Sequence, residues 1–167
     1  MTKSNKSKSQ GWTMIEVMVA LLVIGLILRI SLPRMQTVIL NYRLGAAASS
    51  VAGAIQQTRY QAIKMGCSYT IAFTAGSTTY QVQNLAISGT PPVCAGSFSN
   101  VGSAIPWTTG GGISVTSSPT LQFDANGMVR SGSPLVTCGP CSLQLSNGNA
   151  TQTITVSGVG NVKIASP

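Results

Sequence analysis

A long apolar run near the amino terminus constrains this chain more than any other feature. The run extends from Trp12 to Leu32 and reads WTMIEVMVALLVIGLILRISL. As an α-helix, these residues would span roughly 30 Å, which is the thickness of the hydrocarbon core of a bilayer. Arg29, near the end of the run, can extend its charged group to the membrane interface. Glu16 lies about one turn inside the run, where an ionised carboxylate needs an explanation.

The composition excludes most classes of enzyme. The 167 residues include no His and only two acidic residues, Glu16 and Asp124. A Ser–His–Asp or Cys–His triad and a His/carboxylate metal site all need residues that this chain lacks. We therefore expect no catalytic activity, no metal site and no other cofactor.

The net charge is positive but dispersed. The formal value is +8, of which Lys3, Lys6 and Lys8 contribute three charges. From Trp12 onward, seven basic residues stand against two acidic ones, which leaves +5. Such a charge permits loose binding of anions or nucleic acids, but it does not amount to a basic patch.

Three interpretations compete for the apolar run. A cleaved signal peptide would need a small-residue cleavage site after the run, and the following residues RISLPR offer none. A permanent signal anchor is the second interpretation. The positive-inside rule does not decide its orientation, because basic residues flank both ends of the run.

The third interpretation explains more residues at once. A basic leader ends at Gly11, and an apolar helix follows with Trp12 as its first residue and Glu16 as its fifth. This order resembles the amino terminus of a type IV prepilin, with Gly25 and Pro33 at positions that weaken or kink the helix. Trp12 replaces the usual Phe, and Met14 replaces the usual Leu.

The resemblance to prepilins implies processing and a role for the lone carboxylate. A prepilin peptidase would cut between Gly11 and Trp12, and the new amino terminus at Trp12 would be N-methylated. Glu16 would pair with the free amino terminus of a neighbouring subunit and so set the register of assembly.

The helical pattern continues beyond Pro33. Apolar or small residues recur at helical spacing from Leu40 to Ala62, and Gly66 suits the position just after a helix. The spacing predicts one helix from about residue 12 to residue 64, weakened near Gly25 and at Pro33. Its amphipathic second half should pack against a sheet.

From Cys67 onward the period changes to two, which is typical of strands. Two alternating segments flank a turn at residues 75–77 and predict a hairpin. Residues 88–112 are rich in Gly, Pro and Ser and indicate a long loop, in which Phe98 and Trp107 look exposed. Short strands are then expected at 113–116, 120–124, 128–130, near Leu135, and at 142–146, 151–157 and 161–165. The pattern predicts an α+β fold, with a long helix packed on an antiparallel sheet.

Two segments narrow the resemblance to the H-type minor pseudopilins, the GspH/FimT family. Residues 43–71 contain an Arg-x-x-Ala-Ile-x-x-Gly stretch that leads into a strand, and residues 121–129 contain a Phe-Asp-x-x-Gly turn. The resemblance implies a type IV pilin fold with four parts: a cleaved leader (1–11), a transmembrane and assembly helix (12–35), the amphipathic half of the helix (36–66) and a sheet domain (67–167).

The same resemblance implies the function and the partners. The chain would be a minor pilin or pseudopilin, a structural subunit that primes or caps a type IV pilus or a type II secretion pseudopilus. Its partners would be other major and minor pilins or pseudopilins and the prepilin peptidase. Before assembly it would sit in the bacterial inner membrane as a single-pass protein with its globular domain in the periplasm.

The four cysteines are expected to form disulfides. Cys138-Gly139-Pro140-Cys141 matches the thioredoxin tetrapeptide, but the residues after it alternate like a strand and no βαβ pattern surrounds it. A disulfide that closes a tight turn in an oxidising compartment fits better. We hypothesise a second pair between Cys67 and Cys94, although four cysteines allow three pairings.

DNA uptake in natural transformation is the alternative function. Some FimT-type minor pilins bind DNA through a Gly-Arg-x-Arg motif near the carboxyl terminus. The matching stretch here is Gly160-Asn161-Val162-Lys163, so one arginine is replaced by Asn161 and the other by Lys163. Both replacements weaken phosphate binding, and an ordinary final strand explains these residues as well. Arg130 is the remaining candidate for a DNA contact.

Overall fold

The computed structural model describes residues 12–88, 93–107, 112–117, 119–131 and 136–165. In these residues one long helix precedes a series of short strands. The elements are α1 (Met14–Met65), β1 (Tyr69–Phe73), β2 (Thr79–Ser88), β3 (Val93–Asn100), β4 (Ile105–Pro106), β5 (Ser114–Val115), β6 (Thr120–Phe123), β7 (Val129–Ser131), β8 (Val136–Thr137), β9 (Pro140–Ser146), β10 (Thr151–Ser157) and β11 (Val162–Ala165). The chain divides into two compact units between Ile39 and Leu40.

The first unit contains the amino-terminal part of α1. The helix begins after Thr13, whose carbonyl accepts hydrogen bonds from the N–H groups of Glu16 and Val17 at 3.0 and 3.3 Å. Neither Gly25 nor Pro33 ends the helix, which continues to Met65. The predicted single helix over residues 12–64 is confirmed. Gly11 and the rest of the leader lie outside the described residues.

In the second unit, one face of α1 is buried against the sheets. The buried helix residues are small or aliphatic and recur at helical spacing: Leu44, Ala47, Ala48, Val51, Ala54, Ile55 and Ala62. Alanines on this face let the helix backbone come close to the strands. The helix ends where the Cys67 N–H donates to the Ala62 carbonyl at 3.2 Å, with Gly66 at the predicted C′ position. The predicted packing of the second half of the helix is confirmed.

The described strands form two antiparallel sheets. The larger has the order β3-β2-β1-β6-β7-β8, with β4 also paired to β2, and the smaller has the order β11-β10-β9-β5. Side chains from both sheets, such as Ile71, Phe123, Leu143 and Ile154, join the buried helix face in one core. The α+β prediction is confirmed. The division into two sheets could not be read from strand periodicity, which does not say which strands pair.

Residues 88–112 correct a prediction. They were expected to form a loop, but β3 and β4 lie within them and both pair with β2. Residues 95–100 of β3 are exposed, so no apolar alternation marks the strand. Polar side chains hold it instead: Gln83 Nε2 donates to Asn100 Oδ1 at 2.9 Å, and Ser99 Oγ donates to Asn84 Oδ1 at 3.0 Å.

The two aromatic residues of this segment, Phe98 and Trp107, differ in their exposure to solvent. Phe98 is 37% exposed, as its sequence context indicated, but Trp107 is only 3% exposed and belongs to the core. The Trp107 backbone N–H donates to the Thr78 carbonyl at 3.1 Å and ties the end of β4 to the start of β2. Trp107 looked exposed from its sequence context but is buried, because the segment packs onto its own sheet.

Candidate assembly site

The amino-terminal part of α1 presents apolar side chains all around the helix. Met14, Leu22 and Ile15 are 81%, 69% and 68% exposed, and an 18-residue window of the helix has a mean hydropathy of 2.5. A helix that is apolar on every side is not stable against water, so it must lie in lipid or among other helices. By length and composition, α1 is a candidate membrane span.

Glu16 lies in the first turn of this helix, three residues after Thr13. The spacing Thr-x-x-Glu is that of a capping box, and a negative charge in the first turn also interacts favourably with the helix dipole. The carboxylate is exposed, and Trp12, Ile15, Val19 and Ala20 line a shallow hollow together with it. One anionic group is thus surrounded by apolar side chains, an arrangement that suits a single small cation such as an ammonium group.

Trp12 lies just before the helix and is 72% exposed. The peptide bond of the predicted cleavage joins Trp12 to Gly11, and Gly11 lies outside the described residues. Cleavage at this bond, N-methylation of Trp12 and kinking at Gly25 and Pro33 stay predictions.

The cysteines form two disulfides in the second unit. Cys67, directly after α1, is joined to Cys94 in β3 with a Cα–Cα distance of 5.6 Å. Cys138 is joined to Cys141 across 5.4 Å, at the point where the chain passes from β8 in the larger sheet to β9 in the smaller one. These are the hypothesised pairs. The first holds the edge strand β3 to the end of the helix, and the second joins the two sheets.

The thioredoxin-like tetrapeptide leads directly into a strand. β9 begins at Pro140 and pairs with β10, so no helix starts at Cys138 and no helix dipole activates its sulfur. Among the described residues, no group of three or more His, Cys, Asp or Glu side chains could hold a metal ion. The tetrapeptide has the geometry of a structural cross-link.

The structure places the two basic residues considered for DNA binding on strands of two different sheets. Arg130 is exposed on β7 of the larger sheet, whereas Lys163 is exposed on β11 of the smaller one. Asn161 belongs to the β10–β11 turn, where its backbone N–H donates to Ser157 Oγ at 3.0 Å. Gly160, Asn161 and Lys163 thus form an ordinary turn and final strand.

Arg59 is the functional candidate that sequence reasoning missed. Its half-buried side chain leaves α1 and donates from Nε to the carbonyl of Gly127 at 3.1 Å. It also fills the space beside Gly160, where an added Cβ would collide with the Arg59 side chain. Arg59 therefore holds the helix against two turns, β6–β7 and β10–β11. Arg59 begins the Arg-x-x-Ala-Ile-x-x-Gly stretch, and Gly127 ends the Phe-Asp-x-x-Gly turn. The hydrogen bond between Arg59 and Gly127 therefore gives both motifs a structural role.

Asp124 organises the first of these turns from within. Its Oδ1 atom accepts hydrogen bonds from the N–H groups of Asn126 and Met128 at 3.1 and 2.9 Å. This arrangement fixes the turn that presents the Gly127 carbonyl to Arg59. Asp124 therefore has a structural role.

Two solved structures are similar to this chain. The minor pseudopilin EpsH from the type 2 secretion system of Vibrio cholerae superposes with a TM-score of 0.52 at 12% sequence identity, covering 75% of this chain and 98% of that one. The type IV minor pilin FimU of Pseudomonas aeruginosa gives a TM-score of 0.48 at 14% identity, covering 73% of this chain and 92% of that one. The likeness to EpsH establishes the fold.

Comparisons of sequence identify the family. No curated protein sequence gives a significant match. The family model for the type II transport protein GspH matches residues 47–160, which is more than half of the chain and includes Arg59, Gly127 and Gly160. None of these comparisons supports DNA binding. The match over more than half of the chain establishes that this chain belongs to the GspH family, described as type II transport proteins.

Proposed function

We propose that this chain is a minor subunit of a type II secretion pseudopilus that primes or caps the fibre. The observation that carries the proposal is α1 itself, whose exposed apolar part contains a single carboxylate in its first turn. The family match favours a type II secretion machine over a retractile pilus. The proposed role of the chain is structural: it assembles with other subunits and does not catalyse a reaction.

The membrane holds the subunit before assembly. α1 inserts into the bacterial inner membrane as a single span, and the globular unit stays in the periplasm, where the oxidising conditions maintain both disulfides. The prepilin peptidase removes residues 1–11, and Trp12 becomes the N-methylated amino terminus. The subunit then leaves the bilayer and packs its apolar helix among those of other pilin-like subunits.

Glu16 sets the axial register of the packed helices. A carboxylate at membrane depth costs about 3 kcal/mol or more when it has no partner. The ammonium group at the amino terminus of a neighbouring subunit would neutralise it within the hollow formed by Trp12, Ile15 and Val19. Because the apolar surface is similar all along the helix, this single charge pair selects one axial position among many.

The test is the substitution Glu16→Ala in the full chain, produced in cells that assemble the fibre. We expect normal removal of the leader, measured by the mass of the amino-terminal peptide, and loss of the chain from sheared fibres, measured by immunoblot. Val19→Ala shortens an apolar side chain in the same hollow and serves as the matched control, which should still assemble. Incorporation of Glu16→Ala at the wild-type level would refute the proposed role of the carboxylate.

A further inference from the structure

Four exposed apolar side chains gather at the carboxyl end of α1. Val159, Tyr60, Ile63 and Met128 are 67%, 65%, 46% and 43% exposed. We call these four residues the carboxyl-end patch. Isolated exposed apolar side chains are common, but a contiguous group of them usually marks a surface that another protein covers.

Two members of the patch come from the helix, and contacts link them to the turns. Tyr60 and Ile63 are three residues apart and Arg59 and Ile63 are four apart, so the three side chains are neighbours on the helix surface. Ile63 also lies against the β6–β7 turn, where a Cβ on Gly127 would be 2.7 Å from Ile63 Cδ1.

The other two members come from the two turns that Arg59 contacts. Met128 follows Gly127 directly, and Val159 precedes Gly160. A hydrogen bond of 2.9 Å from the Val129 N–H to the Gly158 carbonyl holds the two turns side by side. The turns that carry Met128 and Val159 are therefore adjacent, and Arg59 contacts both of them.

The charge of the second unit, which carries the patch, is unbalanced. From Leu40 onward the basic residues are Arg43, Arg59, Lys64, Arg130 and Lys163, against the single acid Asp124, which leaves +4. Asp124 directs its Oδ1 atom into its own turn, and Arg59 uses Nε on the Gly127 carbonyl. The Arg59 guanidinium thus belongs to a unit that has almost no carboxylates of its own.

We infer that the carboxyl-end patch binds the globular domain of a different pilin-like subunit, one with an acidic surface that places a carboxylate near Arg59. A second copy of this chain would bring further cations to the patch and almost no acid, so charge disfavours it. The inference rests on the proposed function and adds to it the surface and the chemistry of the neighbour.

The test is photocrosslinking in living cells that express the full chain together with the other pilin-like subunits of its machine. p-Benzoylphenylalanine replaces Tyr60, which is exposed and aromatic, and in a separate strain it replaces Leu22, which is exposed on the apolar part of α1 outside the hollow around Glu16. The Leu22 probe reports assembly as such, and the Tyr60 probe reports the neighbour of the patch. Cross-linked partners are identified by mass spectrometry.

The inference predicts that the Tyr60 probe captures a different pilin-like subunit whose globular domain has a net negative charge. Val159→Glu should reduce this product at least tenfold, because it places an acid on the partner's acidic surface. Ile105→Glu is the matched control, since Ile105 is 41% exposed on β4. It should leave the product unchanged.

The two probes separate failure of the inference from failure of the proposed function. Cross-linking of Tyr60 to a second copy, to a basic subunit or to a protein that is not pilin-like would overturn the inference. So would a Tyr60 product that Val159→Glu does not reduce, or no Tyr60 product while the Leu22 probe still captures a pilin-like subunit. Absence of products from both probes would overturn the proposed function and the inference together.

Discussion

Arg59 shows how one side chain can hold a helix to two turns. Its Nε atom donates to Gly127, and its aliphatic part fills the space that the missing side chain of Gly160 leaves open. A long side chain that packs its methylenes as well as its charge contributes through both. An added Cβ at Gly127 or at Gly160 would come too close to the Arg59 side chain, so this arginine needs glycine at both positions. A substitution at Gly160 alone measures the effect of such a clash on stability.

Gly160→Ala should destabilise the chain by about 1–3 kcal/mol, because the new Cβ meets the Arg59 side chain at a positive φ. Urea unfolding of the full chain in mild detergent, followed by circular dichroism, measures this change. Gly148→Ala is the matched control: Gly148 also has a positive φ (86°), but an added Cβ there has no neighbour within 4 Å. Gly148→Ala should lower the free energy of unfolding by less than Gly160→Ala does.

A double-mutant cycle isolates the steric part. Gly160→Ala should cost at least about 0.5 kcal/mol less in an Arg59→Ala background than in the wild type, since the clash is then removed. Equal costs in both backgrounds would mean that Arg59 does not pack against Gly160.

At the scale of elements, each disulfide holds a different part of the second unit. The Cys67–Cys94 bond closes a segment with a sequence separation of 27 and retains the edge strand β3. The Cys138–Cys141 bond has a separation of only 3. On the chain-entropy model, loops of these sizes correspond to about 3.5 and about 2 kcal/mol, respectively.

We therefore predict that Cys67→Ala/Cys94→Ala lowers the free energy of unfolding more than Cys138→Ala/Cys141→Ala does. Urea unfolding of the two double variants compares them under the same conditions. Non-reducing peptide mapping checks the pairing in the wild type. A larger loss in the Cys138/Cys141 variant, or a peptide that links Cys67 to Cys138 or Cys141, would contradict this account.

Elements with strong local periodicity could be predicted from the sequence. The helix showed a 3.6-residue period, and the β1–β2 hairpin and β9 showed apolar alternation. β3 could not be found in this way, because residues 95–100 are exposed and backbone pairing with β2, polar side chains and a disulfide hold the strand. Trp107 and Arg59 were missed for a related reason: their contacts come from residues distant in sequence.

For the candidate assembly site, the sequence could predict which residue matters but not which residues the fold brings together. Glu16 stands out because it is the one acid in an apolar run, and this needs no tertiary information. The carboxyl-end patch brings together the helix and two turns that lie far apart in sequence. No local pattern marks such a patch, and only the folded structure reveals it.

At the scale of the whole molecule, the positive charge predicts weak and unspecific attraction to DNA. With Arg130 and Lys163 on different sheets, we expect DNA binding by the full chain at low salt that disappears near physiological salt, about 0.15 M. Lys163→Ala should change little. Fluorescence anisotropy with a labelled duplex measures both effects. Binding that survives physiological salt and falls on Lys163→Ala would favour DNA uptake instead.

The account as a whole describes a subunit with two tasks. Under the proposed function, the apolar part of α1 would enter the fibre and set its register through Glu16, and the disulfide-linked globular unit would present the carboxyl-end patch to a neighbour. A subunit that primes or caps a fibre needs both, because it must join the helical core and also contact a subunit different from itself. These requirements predict where the chain should be found.

Immunogold labelling of fibres from cells that also produce the major subunit tests this central claim most directly. An antibody against the globular unit, applied to sheared fibres, shows the position of the chain by electron microscopy. The account predicts gold particles at fibre ends, at one or a few copies per fibre, and no label on fibres that carry Glu16→Ala. Labelling along the whole length of the fibres, or no label on wild-type fibres, would contradict it.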